Sequence, residues 1–264
     1  MVFLSKYSNR VYFLNRKGEL YKKLDFSKYS LNYIELCSPI IYDRNQLYIG
    51  ISRYNIDFPE KAKISDYLEE YKNKNYFPLI FVEKSCFDST SDVNLKMNAF
   101  YKRFVQDDAM TFENLKFAKS SKFFCFSSVF SDSVYVFDKE FQLVKSARIN
   151  SDISKINSKP ISILTYLKNR DKLSENIRGS SFISDFKYDS FRNTFVCLIR
   201  DKMDGDLIPF SIMILDENLE KIAEKKFDSH SYYDVFYISK DGLFIEKKNP
   251  IKRFSRTFSK FIYE

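Results

Sequence analysis

His230, in "FDSHSYYD", is the only histidine of the chain. A Ser-His-Asp triad or a histidine metal site would have to be built around it. Asp228, Ser229 and Ser231 stand beside it, but neighbours one or two positions apart do not make a triad by adjacency. The segment reads as an ordinary loop. "DKMDGD" gathers Asp201, Asp204 and Asp206 in one turn, a set of hard oxygen donors of the kind Ca²⁺ prefers. The spacing is not that of an EF-hand and no liganding Glu follows at the right distance, so a solvated turn is expected. The adjacent pairs Asp107-Asp108 and Glu69-Glu70 point their carboxylates in different directions on a strand or helix, and neither is a ready acid/base dyad. Gly18, Gly50, Gly179, Gly205 and Gly242 are isolated from one another, which leaves no phosphate-cradling motif. No catalytic residue, metal ligand or cofactor is assigned.

The remaining candidate is basic. "KKNPIKRFSRTFSKF", Lys247 to Phe261, interleaves cations with phenylalanines, and on a strand Phe254, Arg256, Phe258 and Lys260 share one face. A face of this kind could stack bases while neutralising phosphates. In a closing blade, Phe254 and Phe258 are expected in the core with the cations at the rim. Lys252, Arg253, Arg256 and Lys260 are therefore the binding-patch residues expected here.

These residues must be positioned by strands. The chain has 264 residues, 44% hydrophobic and 18% aromatic, with 28 Phe and 19 Tyr, enough for a large core of ring-bearing strands. Only five Gly and six Pro occur, so Asn, Asp, Ser and Lys must make most of the turns. The formal net charge of +8 favours anionic partners, although no block of like charges concentrates it. Cys37, Cys86, Cys125 and Cys197 form no CxxC pair; Cys125 and Cys197 lie in apolar runs and read as small buried hydrophobes. No apolar run approaches the ~20 residues needed to cross a bilayer. "MVFLSKYSNR" has no secretory-signal pattern.

Period-two patterning predicts strands at 11–15, 19–26, 39–42, 46–53, 77–83, 122–129, 133–137, 141–149, 181–187, 194–200, 209–215, 219–227, 233–238, 242–247 and 253–263. Short turn-like separators make neighbours antiparallel hairpins, most clearly at Asp241-Gly242. One amphipathic helix is expected at about 60–72, where Ile64, Tyr67, Leu68 and Tyr71 share a face. Residues 160–169 could be either helix or strand, and 54–75, 86–96 and 150–179 read as long connections.

Three segments repeat one another: "VYFLNRKGELY" (Val11 to Tyr21), "VYVFDKEFQLV" (Val134 to Val144) and "IMILDENLEKI" (Ile212 to Ile222). Asn15, Asp138 and Asp216 coincide at the turn. The strand before each turn is apolar, as a strand buried on both faces would be, and the one after bears lysines, as an outer strand would. A looser echo joins "YDRNQLYIGISR" to "YDSFRNTFVCLIR". Self-similar antiparallel units of this kind predict an all-β, propeller-like stack with one inserted helix, and at roughly 40–50 residues per blade the chain has room for about five or six.

"YDSFRNTFVCLIR", "SIMILDENLEKIAEKKF", "YISKDGLFIEKKNP" and the closing "FSRTFSKFIYE" resemble the final blades of a bacterial β-propeller family of unknown function related to six-bladed, TolB-like propellers. The match is best over 181–264 and extends over 120–150. It implies one propeller-like domain over 1–264 that lacks its first blade or so, and residence in the bacterial envelope, periplasmic or lipid-anchored, if Met1 is internal. With Met1 as the true start, the cytoplasm is implied instead. The expected function is a non-enzymatic binding or scaffolding module holding a protein or glycan ligand at one end of the blades. The alternatives are a propeller hydrolase or lyase acting on a glycan or peptide and, behind it, a basic nucleic-acid-binding protein.

Overall fold

The computed structural model describes residues 2–5, 10–15, 17–25, 34–43, 46–54, 79–83, 96–97, 115–128, 131–140, 142–157, 165, 169, 171–248 and 256–263. The expected helix at 60–72, Lys252 and Arg253 lie outside these residues. The fold is all-β and propeller-like: among the described residues, eighteen strands form five separate antiparallel sheets, each joined in simple sequence order. Two compact units are distinguished, Met1–Leu115 with Ser162–Leu164, and Lys116–Ile161 with Thr165–Glu264.

The first unit holds a three-stranded sheet, β1 (Val2–Ser5), β2 (Arg10–Leu14) and β3 (Leu20–Asp25), and a four-stranded one, β4 (Ile34–Asp43), β5 (Gln46–Tyr54), β6 (Leu79–Glu83) and β7 (Lys96–Met97). The second holds three sheets. They are β8 (Leu115–Lys119) to β11 (Leu143–Arg148) through β9 (Phe124–Ser128) and β10 (Ser133–Phe137); β12 (Phe182–Asp189) to β15 (Lys221–Phe227) through β13 (Thr194–Arg200) and β14 (Phe210–Leu215); and β16 (Tyr232–Ser239), β17 (Gly242–Lys247) and β18 (Thr257–Phe261). Among the described residues, helix α1 (Asp171–Arg178) lies in the β11–β12 connection.

The repeated segments fold alike. Asn15 Oδ1 accepts the N–H groups of Lys17 and Glu19 at 2.9 and 3.0 Å. Asp138 Oδ1 accepts those of Glu140 and Gln142 at 3.0 and 2.7 Å, and Asp216 Oδ1 those of Asn218 and Glu220, both at 2.8 Å. A short side-chain acceptor that reaches residues two and four ahead replaces the glycines this chain lacks. Each turn follows a register shift in its hairpin, at Phe13/Leu14, Val136/Phe137 and Ile214/Leu215. In the two turns where it is described, the third residue after the acceptor takes a positive φ, +84° at Gly18 and +70° at Leu219. Leu219 tolerates this because its side chain is buried in the core.

Burial follows the expected inner-to-outer order. Every residue of β14 is buried, whereas β11 and β15 are largely exposed. Alternation along β13 divides two cores. Phe195, Cys197 and Ile199 pack with Ala118, Cys125, Val134 and Val136 of the preceding sheet; Val196 and Leu198 pack with Phe236, Leu243 and Ile245 of the following one. A sheet buried on both faces needs near-continuous apolar strands, and "TFVCLIR" and "FSIMIL" are such strands. Cys125 and Cys197 are free and buried; burial pushes the Cys125 thiol up to about 12, and that of Cys197 is raised as well.

Candidate functional site

In the second unit, short turns and long connections fall at opposite ends of the sheets. Residues 120–123, 138–142, 190–193, 216–220 and 240–241 make the tight end. There Tyr188 Oη donates to Glu217 Oε1 at 3.2 Å, and Lys145 Nζ donates to Asn218 O at 3.0 Å. Arg192 of the Tyr-Asp turn donates to Ser239 O and Lys240 O of the next hairpin at 3.1 and 3.0 Å, and its guanidinium lies 5.0 Å from the Tyr263 ring centre. The Tyr-Asp turn and the "KDGL" hairpin are therefore one joint. In that hairpin, Gly242 has φ +141°, and a Cβ there would meet Phe261 O at 2.5 Å.

The other end carries the described parts of the connection after β11, 149–157 and 171–181, and the connection 201–209, with the shorter 228–231. Two carboxylates organise it. Asp201, one residue beyond β13, accepts Ser181 Oγ at 2.9 Å and Ser154 Oγ at 2.8 Å, one on each oxygen. Glu224 of β15, its side chain only 4% exposed, accepts Ser151 Oγ and Ser211 Oγ at 2.5 and 3.1 Å on one oxygen and the Asp152 N–H at 3.0 Å on the other. Lys221 Nζ pairs with Asp152 and lies 3.7 Å from Glu224. Ser151 Oγ also accepts the Ser154 N–H at 2.7 Å, and Asn157 and Ser181 exchange two bonds of 3.1 and 2.9 Å. Carboxylates withdrawn from water need such partners. Here most of them belong to the connection itself, so the rim is held in one shape.

α1 rests on this rim. Asn169 Oδ1 accepts the Asp171 N–H at 3.1 Å at the start of the helix, and Arg178 O accepts the Met203 N–H at 2.8 Å at its end. A cleft of ≈ 440 Å³ is lined by Thr165, Lys172, Glu175, Asn176, Gly179 and Ser180. Its lining offers a cation, a carboxylate, an amide and two hydroxyls, groups that suit a small polar ligand. "DKLSENIR" has only Leu173 and Ile177 as an apolar i, i+4 pair, and the sequence reading passed over it as a connection.

The residues weighed for chemistry sit apart. His230 is in the β15–β16 turn, where Asp228 Oδ1 accepts its N–H at 2.9 Å. Hydrogen bonds from Ser231 Oγ and the His230 N–H hold the Asp228 carboxyl below its ordinary value. In the "DKMDGD" loop, Asp204 and Leu207 form an isolated antiparallel bridge. Among the described residues, no three His, Cys, Asp or Glu are grouped to hold a metal ion. Lys260 lies on β18 and Arg256 immediately precedes it; neither lines the cleft. Phe258, expected in the core, is instead 39% exposed and meets Tyr237 edge-on at 5.4 Å. The register explains this: Phe258 pairs with Glu246 and therefore lies on the face opposite Ile245 and Leu243.

No family model matches the chain, and no curated protein matches it. Among solved structures it is similar to a member of the DUF4221 family from Bacteroides vulgatus, with a TM-score of 0.63 and 14% identity over 98% of this chain and 74% of that one. Weaker overlaps, TM-scores 0.35 and 0.38, link it to neuraminidase-like proteins of subtypes N11 and N10 from bat viruses. They share 9% and 7% identity, over 81% and 86% of this chain and 48% and 59% of theirs. Among the described residues, no helix is long and apolar enough to cross a membrane. The likeness to the DUF4221 member is one of fold, and the chain itself is all-β and propeller-like.

Proposed function

We propose that the protein is a non-enzymatic binding propeller of the bacterial cell envelope, related to the six-bladed TolB-like group, that holds a protein or glycan ligand at the rim built by residues 149–157, 171–181 and 201–209. The observation that carries this reading is the internal partnering of Asp201 and Glu224. Every oxygen of the two carboxylates already accepts a hydrogen bond from a hydroxyl or amide group of this chain. A general acid or base must instead present its oxygen to a substrate. What these groups supply is a preformed surface, and preorganisation lowers the entropic cost of binding. The location rests on the resemblance of the C-terminal blades and on nothing in the geometry.

The test is a thermal-shift screen of glycans and peptides, with products followed by mass spectrometry. A ligand that raises Tm saturably and emerges unchanged supports a binding module. Conversion of any of them would make the protein an enzyme and sink the reading.

A further inference from the structure

Asp-Gly occurs twice in the chain, at Asp204-Gly205 and Asp241-Gly242. The peptide nitrogen after an aspartate can attack that residue's own side-chain carboxyl, and a glycine, lacking Cβ, hinders the attack least. The attack succeeds only where nitrogen and carboxyl are free to approach each other. The two places differ in that respect. Gly242 opens β17, is buried and pairs with Ser239 across its hairpin. A Cβ there would stand 2.5 Å from Phe261 O, and Arg192 holds both Ser239 O and Lys240 O. At Asp204-Gly205 the turn is closed by the Asp204 N–H on Leu207 O at 3.1 Å and the Leu207 N–H on Asp204 O at 3.0 Å. Among the described residues, neither the Asp204 carboxylate nor the Gly205 N–H has a hydrogen-bond partner. Its chain neighbours aside, a Cβ on Gly205 would meet nothing within 4 Å.

We propose that Asp204-Gly205 is a site of spontaneous backbone modification, at which the aspartate converts through a cyclic imide to isoaspartate. Gly205 N bonds to Asp204 Cγ, and the carboxyl hydroxyl leaves with the amide proton as water. Water then adds to one carbonyl of the imide ring. Opening on the Cγ side restores aspartate, whereas opening on the Cα side leaves the main chain running through Cγ. The product keeps one carboxylate, so the charge is unchanged. The main chain gains a carbon, and the carbonyl that held Leu207 is no longer part of it. Next to it, the Met203 N–H bonds Arg178 O at 2.8 Å and ties the loop to α1. Modification therefore loosens connection 201–209, while β13 and β14, paired along their length, keep their structure. Asp241-Gly242 is spared because its nitrogen would first have to leave the hairpin.

The test incubates the folded protein in mildly acidic water enriched in heavy oxygen, digests it in ordinary water and maps the peptides by mass spectrometry. Each imide hydrolysis inserts one heavy oxygen, and electron-based fragmentation separates aspartate from isoaspartate. The rate at each Asp-Gly is divided by that of the same place in the urea-unfolded chain. The expected ratio is several-fold higher at Asp204 than at Asp241, with isoaspartate accumulating at Asp204. Both signals should vanish from that position in Asp204→Glu, whose longer side chain closes the ring poorly. In molecules carrying the isoaspartate, amide exchange should accelerate over 203–207. Equal ratios at the two places, or no heavy oxygen at Asp204, would overturn the proposal. Isoaspartate at Asp204 with unchanged exchange over 203–207 would overturn it too, since the modification would then leave the loop as it was.

Discussion

Tyr263 donates its phenol hydrogen to Asp189 Oδ2 across 2.5 Å, joining the end of the chain to a turn 74 residues upstream. Asp189 is fully buried and also accepts Arg192 Nη1 at 2.9 Å and the Phe191 N–H at 2.9 Å. Breaking such a set strands a buried charge. Tyr263→Phe should cost about 1.5–3 kcal/mol, the worth of a hydrogen bond to a charged group. Asp189→Ala should cost about 3–5 kcal/mol by leaving Arg192 without its carboxylate. Urea denaturation measures both, and an unchanged midpoint for Tyr263→Phe would refute the joint.

The same contacts set the pH response. Burial and the Asp189 bond push Tyr263 up to about 12; burial and Glu217 do the same to Tyr188. A folded pKa above the unfolded value of 10.0 means that the unfolded chain loses its proton first. Stability is therefore fully present below pH 10.0 and falls as pH rises towards about 12. Melting curves across that window should show the fall, and Tyr263→Phe should make it shallower. At the acid side, burial raises the Asp189 pKa, but hydrogen bonds from Tyr263, Arg192 and the Phe191 N–H outweigh it and the net shift is downward. Its contribution is present above the ordinary carboxyl value of 3.8 and is lost as pH falls through the lower folded value.

The repeated turns depend on one acceptor atom each. Asp216→Ala removes two backbone bonds and should destabilise by about 1–2 kcal/mol, in the manner of a lost helix cap. Asp216→Asn should cost less than half of that, because Asn15 performs the same task with an amide oxygen. Equal losses for the two variants in thermal melts would contradict the assignment.

That turn was legible before the fold was known. Asn15, Asp138 and Asp216 align because each hairpin needs an acceptor at that one position, and the apolar-then-lysine pattern follows from an inner strand handing over to an outer one. β1, β7, β8 and α1 were not legible. β7 is two residues long, and "LKFAK" of β8 is too short to establish a period. The rim was missed for another reason. Ser151, Ser154, Ser181, Asp201 and Glu224 come from four separate stretches, and only the sheet stacking brings them together. Phe258 was misplaced because strand alternation gives two faces without saying which one is covered.

Removing Asp201 should free the rim and spare the core. In Asp201→Ala, Ser154 and Ser181 lose their shared acceptor, so amide exchange should accelerate over 151–157. β13 and β14, buried on both faces, should keep their protection. Uniform acceleration would mean that the carboxylate holds the core and not the connection.

The most direct test of the rim as the binding surface is hydrogen exchange with and without a ligand that raises Tm. The account predicts added protection at 149–157, 171–181 and 201–209, with 138–142, 190–193 and 216–220 unchanged and the ligand recovered intact. Protection confined to the tight-turn end, or a ligand recovered as product, would contradict it.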